Sequence, residues 1–326
     1  MPDIDLAART RGALWGTACG DAFGMPNSFL KELPWLTEMK PGPENSPYHA
    51  GYAAGRITDD TEQAMALTEA LLEGFSAESV ARHLFDWFVS VGGKDSLAVG
   101  PSTMRAMLAF EAGTPLSELG KTGVTNGSAM RISPIGVFAA LSGAGTAGFL
   151  DLVETACRPT HHTSPAISGS AAVAAAVKAA MEGAAWDDVV AASVEAAELG
   201  TERGNWIYCP DIGAKIEWAC GLVADLDSEE AVADTVSRLV GTGEPCTESV
   251  PAALAFSHWA KGNPEIAIRI AANSRGDTDT TAAMAGAICG AYSGEDAIPA
   301  EWREIVGRTN DLDVEAWAKK LETAAG

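Results

Sequence analysis

The sequence is short of basic residues, of paired cysteines and of strand-forming runs, and each shortage narrows its function. Lys and Arg number 22 against 44 Asp and Glu in 326 residues, a formal net charge of −22. So acidic a surface repels phosphate backbones and anionic lipid headgroups, which argues against nucleic-acid or membrane partners. A local pocket for one small anion stays open. The six cysteines (19, 157, 209, 220, 246 and 289) include no Cys-x-x-Cys pair. That excludes a zinc ribbon, and at this length a dense disulfide scaffold is implausible, which leaves buried reduced thiols. No apolar run reaches the ~18–20 residues of a membrane span. The opening Met-Pro-Asp-Ile-Asp carries acids where a secretory leader needs bases. These absences predict a soluble, cytoplasmic protein.

No stretch alternates β-branched and aromatic residues over five or more positions. The helical period is common instead: Ala64, Leu67, Leu71 and Leu72 share one face. Helices are expected over 6–24, 61–74, 77–91, 101–111, 165–183, 185–199, 211–223, 228–240, 249–260, 264–272, 280–293 and 312–324. Segment 165–183 is nearly all Ala, Val and Ser, a composition that suits a buried helix closely approached by its neighbours. The expected fold class is all-α, an orthogonal multi-helix domain of about a dozen helices. With 47% hydrophobic and 20% charged residues, no repeat and no linker, one domain spanning 1–326 is expected. The longest unpatterned stretch, 25–58, is rich in Pro and Gly; a loop that long in a compact domain is usually functional.

Two segments carry most of the chemistry. Thr58-Asp59-Asp60-Thr61 and Asp277-Thr278-Asp279-Thr280 each set two carboxylates among Thr hydroxyls before a helix of small residues. Helix capping accounts for one such oxygen per segment. The surplus carboxylates repel one another unless a cation neutralises them. All-oxygen ligands suit Mg²⁺, Mn²⁺ or Ca²⁺ rather than zinc or copper. Two clusters together suit a pair of ions ~3.5–4 Å apart. An EF-hand is excluded, because counting from Asp277 positions 6 and 12 are Ala282 and Ile288 rather than Gly and Glu. The small face of residues 282–291 would let another helix approach closely and bring the distant cluster to the same point. Further candidates are Asp21 between glycines, the Asn126-Gly127-Ser128 turn, whose amides suit a diphosphate, and the Thr160-His161 pair.

Taken in order, these blocks resemble the ADP-ribosylglycohydrolase family, which includes dinitrogenase reductase-activating glycohydrolase and the ADP-ribosylarginine hydrolases. The blocks are Gly16-x-x-x-Gly20-Asp21-Ala22-x-Gly24, Thr58-Asp59-Asp60-Thr61, Asn126-Gly127-x-x-Met130-Arg131, Thr160-His161 and Gly276-Asp277-Thr278-Asp279-Thr280. The resemblance implies an all-α fold with two Mg²⁺ or Mn²⁺ ions per chain at the bottom of a cleft. It assigns metal ligation to Thr58, Asp59, Asp60, Asp277, Asp279 and Thr280, with Asp59, Asp60 and Asp279 as catalytic candidates. It places Asp21, Asn126, Gly127, Ser128 and His161 against substrate. The implied reaction is hydrolysis at C1 of an ADP-ribosyl group on protein or on a small molecule. Many members carry a Glu four residues beyond the Gly-Asp-Ala-x-Gly block, where this chain has Ser28. Glu44, in the same loop, is the acid positioned in sequence to replace it. Two other readings stay open: a hydrolase of a small nucleoside or ribosyl metabolite, and a non-enzymatic, crystallin-like relative.

Overall fold

The structure is a computed structural model that describes residues 4–32, 34–97 and 99–326. Among the described residues there are fifteen α-helices and no strand, only two isolated β-bridges, so the all-α expectation holds. Three helices have no counterpart in the periodicity. Helix α5 (Ser133–Leu141) is nine residues long and starts on Ser-Pro. Helix α6 (Thr146–His161) runs through Pro159, which reads locally as a break. Helix α14 (Ala300–Asn310) is mostly polar, with only Trp302 and Val306 buried. The segment expected over 228–240 is α10 (Glu229–Thr235) closed by a π-helical turn, Val236–Val240.

Two helices set the frame, α1 (Leu6–Gly24) and α13 (Thr278–Ser293). Gly12, Gly16, Gly20 and Gly24 recur every four residues and so form one stripe along α1. The stripe lies on Gly290, Gly286, Ala282 and Thr278 of α13 so closely that the backbones touch. A Cβ on Gly16 would sit 2.0 Å from the Gly286 carbonyl oxygen, and one on Gly20 2.1 Å from that of Ala282. On the α1 side only glycine allows this crossing. It brings the start of α13 beside Asp21 near the end of α1; the small face of 282–291 does admit a close helix, but that helix is α1 rather than the helix of the 58–61 cluster.

Around this pair lie α2 (Asp59–Leu72), α7 (Ser164–Met181), α11 (Cys246–Trp259) and α12 (Pro264–Ala272). Every residue of α7 from Ser164 to Val177 is buried, as its Ala-rich composition implied. One large hydrophobic cluster runs through most helices, and a smaller one gathers Val223, Val232, Val236, Phe256 and Ile270. All six cysteines are free thiols.

The described part of 25–58 is held by side chains of the helical body. Asn273 accepts from the Leu36 amide at 2.5 Å and donates to the Leu36 carbonyl at 2.9 Å. Asn310 accepts from the Ile57 amide at 3.1 Å and donates to the Gly55 carbonyl at 2.7 Å. These ties fold the loop back over the acid-bearing ends of α2 and α13.

Candidate active site

The two acidic segments, 217 residues apart, meet at the floor of one cleft. Asp59, Asp277, Asp279 and Thr280 line it, and Thr58 and Asp60 lie one layer deeper. Capping does not account for these acids: neither Thr58 at the start of α2 nor Asp277 at the start of α13 makes a side-chain cap bond. Each acid is instead held from elsewhere. Ser28 Oγ donates to Asp279 Oδ1 at 2.8 Å, Asn126 Nδ2 to Asp277 Oδ2 at 2.7 Å, and Gln63 Nε2 to Asp59 Oδ2 at 3.0 Å.

Asp21, expected against substrate, is fully buried below the floor. It accepts bonds from the amides and hydroxyls of both Thr58 and Thr61, and so caps α2 from another helix. Its part is to position the first acidic segment. Burial pushes its carboxyl up to about 7 against the opposing hydrogen bonds from Thr61 and Thr58. Burial, then the neighbouring Asp279, raises Asp59 and Asp277 well above the usual carboxylate range; for Asp60 the second cause is Asp21. Asp60 Oδ1 is buried with no hydrogen-bond partner.

Ser128 and His161 are likewise enclosed rather than exposed to the cleft. Ser128 accepts from Ser170 Oγ at 2.9 Å. The His161 ring backs the Asn126-Gly127 turn, and a Cβ on Gly127 would meet His161 Cε1 at 2.8 Å. Asn126 and Gly127 do line the cleft. His161 stays neutral, since burial and the nearby Arg131 hold its pKa well below the ordinary imidazole value.

Arg131 is the only Lys or Arg buried among the described residues, and burial lowers it to about 10. It donates to Gln63 Oε1 at 2.6 Å and to Thr160 Oγ1 at 2.7 Å. Thr160 Oγ1 in turn lies 2.7 Å from His161 Nδ1, and His161 Nε2 lies 2.9 Å from Thr125 Oγ1. One chain of hydrogen bonds thus links Asp59, through Gln63 and Arg131, to the wall of the cleft.

The loop contributes residues that the motifs did not single out. Phe29, Tyr48 and His49 line the cleft, and His49 Nε2 lies 3.6 Å from Asp279 Oδ2. Glu44, the acid expected to replace the missing Glu, is exposed and outside the lining. The loop turns Ser28 and the rings of Phe29, Tyr48 and His49 inward here, and Glu44 faces water. The one available signal for these residues was the unpatterned, Pro-rich character of 25–58.

Among the described residues no three acidic, imidazole or thiol side chains form a closed ion cage. Three of the acids accept hydrogen bonds, Asp279 from Ser28, Asp277 from Asn126 and Asp59 from Gln63. The donor set still fits a hard cation: the ligands on offer are carboxylate and hydroxyl oxygens, and Asp60 Oδ1 is an orphaned acceptor. Thr58, Asp59, Asp60, Asp277, Asp279 and Thr280 could hold such ions.

The architecture is thus an all-α body with four aspartates gathered at the floor of one cleft. The family model for ADP-ribosylglycohydrolase matches residues 2–326, and the chain belongs to that family of ADP-ribose glycosyl hydrolases. It is 33% identical over 322 residues to the uncharacterized protein YegU of Escherichia coli, covering 96% of both chains. It is 27% identical to the ADP-ribosylarginine hydrolase Tri1 of Pseudomonas putida, covering 97% of this chain and 76% of that one. A solved structure described as an ADP-ribosylglycohydrolase-related protein complex matches with a TM-score of 0.70 at 26% identity, covering 99% of each chain.

Proposed function

We propose that this protein hydrolyses the glycosidic bond at C1 of an ADP-ribosyl or related ribosyl group with two Mg²⁺ or Mn²⁺ ions. The observation that carries the reading is the convergence of Asp59, Asp60, Asp277 and Asp279, largely buried, with one unsatisfied oxygen. Thr58, Asp59, Asp60, Asp277, Asp279 and Thr280 would hold the ions. When bound, the ions acidify water and polarise ribose oxygens. The remaining work falls to side chains. The Asn126-Gly127 turn orients the ribosyl end, fixed by Asn126 on Asp277 and by His161 beneath. Asp59 or Asp279, the catalytic candidates that face the cleft, accepts the proton of the attacking water; Asp60, one layer down, holds charge. The developing positive charge on the ribose lies over this acidic floor, which favours an oxocarbenium-like transition state.

A small ribosyl compound is favoured over a modified protein by Ser28, which offers no acid to a poor leaving group, and by the exposed position of Glu44. The clustered acids weigh against a non-enzymatic relative. The free thiols and the acidic surface fit a soluble cytoplasmic enzyme with neither nucleic-acid nor membrane partners. The test is release of ribose or ADP-ribose by chelator-treated protein with and without added Mg²⁺ or Mn²⁺. Turnover should need the cation and be lost in Asp279→Asn; cation-independent turnover overturns the reading.

A further inference from the structure

Hydrolysis at ribose C1 must release a leaving group, and the cleft mouth carries side chains that take no part in holding ions or activating water. Phe29 and Tyr48 line the cleft while 37% and 43% exposed. Their ring centroids are 5.5 Å apart in an edge-to-face arrangement at 75°. Each ring is one residue from a group on Asp279: Ser28 Oγ at 2.8 Å, and His49 Nε2 at 3.6 Å. The rings therefore stand at the reacting end of the cleft, where a group attached to ribose C1 would lie. Leu97, 70% exposed, adds apolar surface to the same lining.

Two further observations point to a ligand. Phe29 has φ 54, a left-handed backbone that a bulky side chain rarely adopts, and its amide is fastened to the Gly276 carbonyl at 2.7 Å. The strain keeps an aromatic ring presented to the cleft. His49 is buried, yet its Nδ1 has no hydrogen-bond partner. A partnerless buried nitrogen on an imidazole whose ring centroid lies 6.2 Å from that of Tyr48 suits a ligand that is flat, apolar on its faces and polar at its edge.

A guanidinium or alkoxide leaving group would ask for something else, an acid near the bond that breaks. Ser28 holds that place, and Glu44 is outside. Besides the three aspartates assigned to the ions, the lining holds one further acid, Glu244, whose backbone carbonyl accepts from the Asn126 amide at 2.7 Å, in a segment far in sequence from the loop that carries Phe29 and Tyr48. Nor does the lining contain any Lys or Arg for a charged partner surface.

We propose that the group this cleft releases is a planar heteroaromatic ring, N-linked to ribose C1, seated against Phe29 and Tyr48 with its polar edge toward His49. The proposal rests on the hydrolase reading and names its substrate class. The C1–N bond breaks with its electron pair on the ring nitrogen, and water oxygen bonds to C1. A neutral ring departs in its N–H form with the proton that water gives up. A ring cationic in the substrate departs neutral, and that proton passes to solvent. A neutral ring delocalises the electron pair and a cationic ring is neutralised by it, so neither needs a carboxylic acid to leave.

The test compares nicotinamide riboside and inosine with ADP-ribosylarginine, each supplied as both anomers, on Mn²⁺-loaded protein. The ring compounds should be hydrolysed with kcat/KM at least ten-fold higher. Phe29→Ala and Tyr48→Ala should each raise their KM by about 5- to 150-fold, the range for loss of a stacked base, and Tyr48→Phe should restore it. Both side chains are partly exposed, and an unchanged circular dichroism spectrum shows that the variants fold. ADP-ribosylarginine turned over as well as the ring compounds overturns this inference and leaves the hydrolase reading standing. So does an Ala effect confined to ADP-ribosylarginine, which would make the rings an adenine seat. No turnover of any compound overturns the hydrolase reading instead. In that event calorimetric binding of nicotinamide riboside decides, and binding indifferent to Phe29 and Tyr48 overturns the ring seat too.

Discussion

Gly16→Ala tests whether the contact between α1 and α13 positions the acids. The added Cβ would stand 2.0 Å from the Gly286 carbonyl oxygen and 2.4 Å from its carbon. Ordinary contact begins near 3.4 Å, so the two backbones must part by about 1.4 Å at this point. Neither side of the contact is a flexible side chain that could turn away. Overpacking of a core typically costs about 1–3 kcal/mol, and backbone against backbone belongs at the upper end. Replacing a mid-helix Gly returns about 1 kcal/mol of helix propensity, so a net loss of about 2 kcal/mol is expected. Asp279 and Thr280 lie at the start of α13, the helix that carries Gly286, and a displacement of about 1 Å there should cut turnover by about 10²-fold. Urea unfolding followed by circular dichroism measures the first effect, and steady-state turnover the second. Gly221→Ala is the control: it lies in α9 (Ile212–Val223) with no atom near its would-be Cβ, so it should be neutral or stabilising by up to about 1 kcal/mol. If Gly16→Ala proves as stable and as active as wild type, the crossing does not hold the site.

Three other expectations follow from the same structure. Glu44→Ala should change kcat and KM less than two-fold, because the side chain is exposed and outside the cleft; a loss of ten-fold or more would restore Glu44 as the catalytic acid. Arg131→Met should cost about 1–3 kcal/mol in urea unfolding by leaving Gln63 Oε1 and Thr160 Oγ1 short of a donor. It should also weaken Mn²⁺ binding by loosening Gln63 on Asp59, and unchanged affinity would show that the hydrogen-bond chain does not reach the acids. His161 should remain neutral at pH values where an ordinary imidazole is charged, with the proton on Nε2, because Thr160 Oγ1 already accepts from Arg131 and donates to Nδ1. Since the unfolded chain takes up that proton first, this residue's contribution to stability is full above pH about 6.5 and declines below it. A ¹⁵N NMR titration showing a cationic ring at pH 6 would contradict both the tautomer and the sign.

Residue type and periodicity made much of this legible. The small face of residues 282–291 foretold a close helix approach, but not that its partner is the four-glycine stripe of α1. The surplus carboxylates of 58–61 and 277–280 foretold a meeting of acids, since capping requires too few of them. Depth was not legible. Asp21, Ser128 and His161 have the chemistry of ligand contacts, yet each is enclosed and acts on its neighbours, because a sequence lists donors without saying which side of a wall they occupy. Helices α5, α6 and α14 escaped for local reasons: a short length, a proline within the last turn, and a polar composition. Phe29, Tyr48 and His49 escaped for a topological one. Their loop has no period, and its inward side is set by Asn273 and Asn310, more than 200 residues away.

The proposed function requires the acids from α2 and α13 together to hold two divalent cations. Equilibrium titration of chelator-treated protein with Mn²⁺, followed by electron paramagnetic resonance, measures it directly. Two Mn²⁺ per chain are expected in wild type, with at least one lost in Asp60→Asn and in Asp279→Asn. A wild-type chain that binds no Mn²⁺, or variants that bind as many ions as wild type, would contradict the claim.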